Sequence, residues 1–204
     1  MDKEMDHTHM CDCGCHDTAV SLSDTVPDIE FDVFHGGEEK KMRLGDFKDK
    51  WLILFFYPAD FTFVCPTELE DMANHYDKFK EAGAEVISVS TDTVFVHKAW
   101  KDASESIKKI QFPMAADTSH KVSHTFGVLR SSGLSDRGTF VIDPHGVVQV
   151  VEITAEGIGR NAAELLRKLQ AAKFVHEHGD KVCPANWKPG GDTLEPGMGL
   201  VGKI

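Results

Sequence analysis

The stretch WLILFFYPADFTFVCPTELE, residues 51 to 70, places an unbroken apolar run before a polar loop and a cysteine. The run from Trp51 to Tyr57 is too short to cross a bilayer, which takes about 20 apolar residues in a helix. A continuous apolar run bounded by Lys50 and Pro58 is instead typical of a strand covered on both faces. The stretch therefore predicts a central strand of an α/β sheet.

The residues that follow predict a parallel β-α-β unit. After Cys65, apolar side chains recur at helical spacing and stop before Gly83, and the members of this face are Leu69, Met72, Ala73, Tyr76 and Phe79. Residues 86–90 then form a second buried run. This order of elements favours two parallel strands joined by a right-handed crossover.

Two hairpins and two more helices are predicted outside this unit. The first hairpin joins residues 31–34 to residues 41–44 through a turn at Gly36-Gly37. The second joins residues 138–142 to residues 147–153 through the turn-forming sequence Asp-Pro-His-Gly. Residues 95–103 suggest a helix. The last helix begins after Asn161 as N-cap, with Glu164 three residues later, and buries an apolar face that ends near residue 172.

Length and charge narrow the class of protein. A chain of 204 residues is the size of one α/β unit with tails. The net charge of −11 argues against electrostatic binding of nucleic acid or of anionic membranes over a large surface. The first twenty residues show neither a secretory signal nor a transit peptide, so we expect a cytoplasmic protein. In that compartment the five cysteines are expected to be reactive thiols or metal ligands rather than parts of structural disulfide bonds.

The chain divides into an extension, a domain and a tail. Residues 1–25 lack periodicity and are expected to be a disordered Cys/His-rich extension. Residues 26–178 are expected to form the domain, and the Pro/Gly-rich residues 179–204 its tail. The extension carries weak candidates for metal ligands, which are His7, His9, Cys11, Cys13, Cys15 and His16. Alternating thiolates can wrap a soft ion such as Cu(I) or Zn(II), although zinc sites usually show wider cysteine spacing, and these thiols could equally be incidental.

Cys65 is the strongest candidate for a reactive group. Pro66 suits the first helical position and Glu68 the third, so Cys65 is predicted as the N-cap. Lowering the pKa of a free thiol from about 8.5 to about 6 takes roughly 3.4 kcal/mol, whereas a helix N-terminus typically supplies about 0.3–1 kcal/mol. A nearby cation is therefore needed, and residues 51–70 contain no Lys, Arg or His.

Arg137 is a good candidate for that cation, because it directly precedes a predicted strand whose end should share the rim of the sheet with helix N-termini. Thr62 adds a hydroxyl to the loop before Cys65. The alternatives are a buried, inert Cys65 and a dithiol oxidoreductase. The second needs a C-x-x-C motif, but Glu68 stands where its second cysteine would be, so any partner thiol must come from far away.

Four separated motifs resemble those of the peroxiredoxins, in the typical two-cysteine branch that includes alkyl hydroperoxide reductase C-type subunits. They are PADFTFVCPTE around Cys65, DRGTFVIDPHG at 136–146, EGIGRNAAELLRKLQAA at 156–172 and VCPANWKPG at 182–190. The resemblance runs from about residue 26 to the end of the chain. It implies a thioredoxin-like α/β fold with a central mixed sheet flanked by helices, an N-terminal hairpin and an extended C-terminal tail.

The resemblance also implies roles for individual residues. Cys65 matches the peroxidatic cysteine, Pro58 and Thr62 complete its Pro-x-x-x-Thr-x-x-Cys pattern, and Arg137 matches the peroxide-binding arginine. Glu68 and Arg160 resemble a pair that orients this arginine, and Cys183 resembles the resolving cysteine, which in this branch comes from the partner subunit. Because Cys65 begins a helix and Cys183 lies in a tail, we expect local unwinding around Cys65 during turnover.

The implied activity is a thiol-dependent reduction of hydrogen peroxide and organic hydroperoxides without a cofactor. A thioredoxin or a flavoprotein disulfide reductase would re-reduce the disulfide, and the assembly would be a homodimer or a ring of five dimers. Nucleic acid and membrane are not expected as partners. The alternatives are a holdase chaperone in high oligomers, or metal binding by the N-terminal cysteines and histidines.

Overall fold

The computed structural model describes residues 19–204, so the candidate metal ligands at residues 7–16 lie outside the described residues. In chain order, the strands and helices are β1 (Glu30–His35), β2 (Glu38–Arg43), β3 (Trp51–Phe56), α1 (Cys65–Glu81), β4 (Ala84–Ser90), α2 (Val94–Ala103), α3 (Glu105–Lys108), β5 (Met114–Ala116), α4 (Lys121–Thr125), β6 (Arg137–Ile142), β7 (Val148–Thr154) and α5 (Ala162–Glu177). None of the helices formed by residues 19–204 combines the length and hydropathy of a membrane span.

The seven strands form one mixed sheet in the order β2-β1-β5-β4-β3-β6-β7. Strands β3, β4 and β5 are parallel, and the pairs β1/β2, β1/β5, β3/β6 and β6/β7 are antiparallel. The β3-α1-β4 crossover and both predicted hairpins are confirmed, as is the mixed α/β sheet.

Strand β3 is buried on both faces, as its continuous apolar sequence predicts. Ile53 and Phe55 point to the layer that contains α1, α2 and α5, where Leu69 and Leu165 are packed. On the other face, Leu54 joins a second cluster that includes α4 and β6. The sheet therefore lies between two apolar layers, and the loop after β3 emerges at one edge of both.

The predicted start of α1 is wrong by one residue. Val64 is the N-cap, with helical φ and ψ of −84° and −38°, and Cys65 is the first residue inside the helix. Val64 has no polar side chain, but its carbonyl accepts the amides of Thr67 and Glu68 at 3.0 and 3.2 Å. Pro66 fits the second helical position because amides in the first turn have no intrahelical partner.

The last helix and the tail complete the fold. The Asn161 side chain accepts the amide of Glu164 at 2.9 Å, which confirms the predicted N-cap of α5. The tail then runs back along α5, and its Trp187 is buried, with its ring centroid 5.0 Å from that of Phe174. The short elements α3, α4 and β5 were not predicted, because three to five residues carry no readable periodicity.

Candidate active site

Strand pairing brings the beginning of β6 to the start of α1. Phe55 of β3 lies opposite Thr139 of β6 in an antiparallel register. Two residues further along this register, Arg137 lies level with Tyr57, where the chain leaves β3 toward α1. The sheet thus delivers a cation from a distant part of the sequence to the loop that carries Cys65.

Arg137 approaches the thiol of Cys65 directly. Its Nη1 lies 3.4 Å from Sγ of Cys65, and both residues are buried. A guanidinium at this distance stabilises the thiolate form by Coulomb attraction and by hydrogen bonding. The first turn of α1 adds unpaired amides and the positive end of the helix dipole.

Two contacts fix the position of the Arg137 guanidinium. Nη1 donates a hydrogen bond of 2.6 Å to Oε2 of Glu68, and Nε donates one of 2.7 Å to the carbonyl of Glu156. Glu68 lies one turn after Cys65 on α1, so one helix holds both the thiol and the carboxylate. Arg137 therefore has little freedom to turn away from Cys65.

Arg160 supports the same carboxylate from the other side. Oε1 of Glu68 accepts the backbone amide and Nε of Arg160 at 2.8 and 2.9 Å. The Arg160 guanidinium lies 3.5 Å from the ring centroid of Phe55 and donates to the carbonyls of Phe56 and Gly138, both at 2.8 Å. Burial lowers the pKa of Arg160, whereas the hydrogen bond to Glu68 acts in the opposite direction.

Glu68, Arg137 and Arg160 form a set of buried charges around the Cys65 thiol. Glu68 is 1% exposed and each arginine 3% exposed at the side chain. Buried charges are tolerated only when they are paired. One carboxylate cannot neutralise two guanidinium groups, but a Cys65 thiolate brings the sum to zero. The Cys65 sulfur is thus placed where a negative charge would be paired with the Arg137 guanidinium.

The loop between β3 and α1 carries the other two candidates. Pro58 is buried directly after Tyr57. The hydroxyl of Thr62 donates to the carbonyl of Ala59 at 2.8 Å, and among residues 19–204 it makes no hydrogen bond to the Cys65 thiol. Both residues shape the loop that delivers Cys65, and Thr62 is the nearer to it in sequence.

Cys183 is not part of this cluster. Its half-buried thiol lies against α5, with Sγ 3.9 Å from the carbonyl of Ala171. Burial raises the pKa of Cys183, while the charge of Arg167, one turn earlier on α5, opposes this shift. Cys65 and Cys183 are both free thiols in this structure.

Residues 19–204 contain no group of three metal-ligating side chains that could hold an ion. Sequence reasoning missed the Glu156 carbonyl, which leaves no trace in side-chain patterns. It also missed a buried pair between Asp60 and His97, which lie 37 residues apart. The sequence signal that bears on this pair is the spacing of three between His97 and Trp100, which places both side chains on one face of a helix.

Comparison with protein families gives two matches along the chain. Residues 22–151 match the AhpC/TSA family, and residues 171–197 match the C-terminal domain of 1-Cys peroxiredoxin. The first match contains Cys65, Glu68 and Arg137, and the second contains Cys183.

Named relatives and solved structures agree with these matches. Alkyl hydroperoxide reductase C of Staphylococcus haemolyticus is 54% identical over 82% of this chain and 89% of its own length. The protein of that name from Salmonella typhimurium is 52% identical over 91% of this chain and 100% of its own length. Crystal structures of Enterococcus faecalis AhpC (TM-score 0.78, 51% identity, 80% of this chain and 98% of that one) and of reduced Plasmodium vivax 2-Cys peroxiredoxin (TM-score 0.82, 31% identity, 86% and 93%) share the fold.

Proposed function

Because the chain belongs to the AhpC/TSA family of peroxiredoxins, which are thiol peroxidases, we propose that it reduces peroxides at Cys65 and resolves the product with Cys183. The observation that carries this proposal is the approach of Arg137 Nη1 to within 3.4 Å of the buried Cys65 Sγ, inside a set of charges that a thiolate neutralises. The substrates are hydrogen peroxide and organic hydroperoxides.

In the first step, the Cys65 thiolate attacks one peroxide oxygen in line with the O–O bond. The S–O bond forms as the O–O bond breaks, and the electron pair leaves on the second oxygen, which takes a proton to become water or an alcohol. Arg137 stabilises the charge that develops on the leaving oxygen, and Thr62 and Pro58 hold the loop in shape. Glu68 and Arg160 orient Arg137. The product at Cys65 is a sulfenic acid.

In the second step, the Cys183 thiol condenses with this sulfenic acid, so that an S–S bond forms and water is released. We propose that Cys183 comes from the partner subunit of a homodimer, that residues 179–204 act as the tail that presents it, and that five dimers close a ring. A thioredoxin or a flavoprotein disulfide reductase then supplies two electrons and two protons by thiol exchange. The setting we propose is the cytoplasm.

The test compares three proteins in a stopped-flow assay with stoichiometric peroxide: wild type, Cys65→Ser and Cys183→Ser. Cys65→Ser should consume no peroxide. Cys183→Ser should consume about one equivalent and then stall as a sulfenic acid that reacts with dimedone. Wild type treated with peroxide should run as a reducible dimer on a non-reducing gel.

Two results would contradict the proposal. Peroxide turnover by Cys65→Ser would exclude Cys65 as the nucleophile. A reducible dimer that persists in Cys183→Ser would show that another cysteine resolves the sulfenic acid.

A further inference from the structure

A buried polar network ties the loop of Cys65 to helix α2. Nδ1 of His97 lies 2.8 Å from Oδ2 of Asp60, and the Tyr57 hydroxyl donates to Oδ1 of Asp60 at 2.7 Å. Nε2 of His97 lies 3.2 Å from the carbonyl of Ala115 on β5. His97 and Tyr57 are completely buried, and Asp60 is 6% exposed.

The partners of His97 fix where its hydrogens lie. A carbonyl can only accept, so Nε2 carries a hydrogen. Nδ1 then faces Oδ2 of Asp60 and shares a hydrogen bond of 2.8 Å with it. Burial raises the pKa of Asp60, and the hydrogen bond to His97 opposes this shift. Asp60 therefore depends on His97 to satisfy a carboxyl group that has left water.

Asp60 is held through its backbone as well. Its amide donates to Oδ2 of Asp92 at 2.9 Å, and the same oxygen accepts the Ser90 hydroxyl at 2.8 Å. The next residue, Phe61, packs on Trp100 with ring centroids 5.9 Å apart. Because His97 and Trp100 share one face of α2, that face holds two consecutive residues of the loop.

Phe61 is the last residue of the loop that helix α2 contacts in this way. Within residues 19–204, the backbone amides of residues 61–64 donate no hydrogen bond to the protein. Phe61 itself has a φ of +54°, a left-handed conformation that is unusual for a bulky residue. Residues 61–64 keep the bond from the Thr62 hydroxyl to Ala59 and the bonds that the Val64 carbonyl accepts, but their own amides are not tied to the domain as that of Asp60 is.

We propose that His97 is a positioning residue which, through Asp60, anchors the fixed end of the loop that must open before Cys65 can form a disulfide. The inference rests on the proposed function, since it assumes that Cys65 reacts with peroxide in the closed loop and with a distant thiol in the open one. Anchoring keeps Cys65 beside Arg137 for the first reaction and limits unwinding to residues beyond Asp60 in the second.

Two substitutions separate the contacts of His97. His97→Asn carries an amide nitrogen near the place of Nδ1 and can still donate to Asp60, but it loses Ala115. His97→Gln carries its amide near the place of Nε2 and reaches Ala115, but it loses Asp60. His75→Gln is a matched control, because His75 also contacts an aspartate, Asp71, on the surface of α1.

The first measurement is hydrogen exchange by mass spectrometry on the reduced, peroxide-free proteins. In His97→Gln, the amide of Asp60 and the first turn of α1 should exchange about tenfold faster, the scale of one lost buried hydrogen bond to a charged group. His97→Asn and His75→Gln should match wild type there, and β4 should be unchanged in all variants. Equal effects of Asn and Gln at position 97, or none from Gln, would overturn the anchor.

The second measurement follows Cys65 as thiol, sulfenic acid and disulfide by rapid-quench mass spectrometry. His97→Gln should form the disulfide about tenfold faster, while its reaction with peroxide should not become faster. A merely structural role would slow both steps together, and that result would refute the inference. If wild-type Cys65 never becomes oxidised, the proposed function fails, whereas the exchange experiment still decides the anchor.

Discussion

Glu68 is the residue on which the charge balance of the site depends. Its carboxylate lies between Arg137 and Arg160, and each of its oxygens accepts from at least one of them. Without it, two buried guanidinium groups of like charge would face each other. Its contribution is therefore electrostatic as well as geometric.

Glu68→Gln should lower the free energy of unfolding by about 3 kcal/mol or more, since it leaves buried charge unpaired. The second-order rate constant with peroxide should fall as well, because Arg137 loses the group that aims it at Cys65. Urea unfolding and stopped-flow kinetics measure the two effects. Glu81→Gln, at the exposed end of the same helix, is the control and should leave both the urea midpoint and the rate constant unchanged; a similar loss in that variant would show that any charge on α1 matters.

At the scale of single residues, one contact of the site is predictable from the chemistry of a thiolate, although no local sequence pattern contains it. The demand for a cation near Cys65 follows from the energetics of a thiolate, and Arg137 was the candidate 72 residues away. The Glu156 carbonyl was out of reach, because any residue has one. The pair of Asp60 and His97 was also missed, since a contact across 37 residues depends on how α2 packs against the loop.

Among the elements, helix α5 and the tail depend on each other through Trp187. Its ring packs on Phe174, its indole nitrogen donates to the carbonyl of Gly191 at 3.2 Å, and its own carbonyl accepts Nη1 of Arg167 at 3.3 Å. Four residues earlier, Cys183 lines a neighbouring groove together with Arg167, the residue that donates to the Trp187 carbonyl. The position of this thiol is thus set by an aromatic contact that is not itself near the sulfur.

Trp187→Ala should release the tail, because truncating a buried tryptophan costs about 3–5 kcal/mol. Limited trypsin digestion should cut after Lys181, which precedes Val182, sooner than in wild type, with cleavage of the β3 to β4 region unchanged. Trp187→Phe retains most of the packing and serves as the control. If the tail of the alanine variant resists digestion as well as wild type, Trp187 does not hold it.

Long elements were predictable and short ones were not. Strand β3 and helices α1 and α5 carry enough residues for their period to be read, and the Asn161 cap marks where α5 begins. The start of α1 was placed one residue late, because Pro66 is acceptable at either of the first two helical positions. Strand β5 has only three residues and is recognisable as a strand only by its place between β1 and β4.

At the scale of the whole molecule, the groups that surround Cys65 come from β3, α1, β6 and the segment before α5. Every one of them lies between residues 55 and 161. The Cys/His-rich stretch at residues 7–16 lies outside the described residues, and none of the groups named here belongs to it. We therefore expect that the extension can be deleted without removing any residue of this set.

Removing residues 1–16 should leave kcat/KM for peroxide within about a factor of two, because the deletion removes none of the residues named around Cys65. Steady-state assays on the shortened and full chains check this. Elemental analysis of the same two proteins, after incubation with Zn(II) or Cu(I), tests the metal hypothesis separately. A large loss of turnover on deletion would mean that the extension takes part in the reaction.

The balance of charge around Cys65 also has a consequence for the oxidised enzyme. Under the proposed reaction, the thiolate becomes a sulfenic acid and then a disulfide, and both are neutral groups. The two arginines and Glu68 remain, so in a closed site the neutral sulfenic acid leaves one positive charge of this set without a counterpart. Burying an uncompensated charge is unfavourable, so oxidation itself weakens the closed start of α1. The oxidation state of the Cys65 sulfur therefore changes the stability of the closed start of α1, and the closed form is more stable in the reduced protein than in the oxidised one.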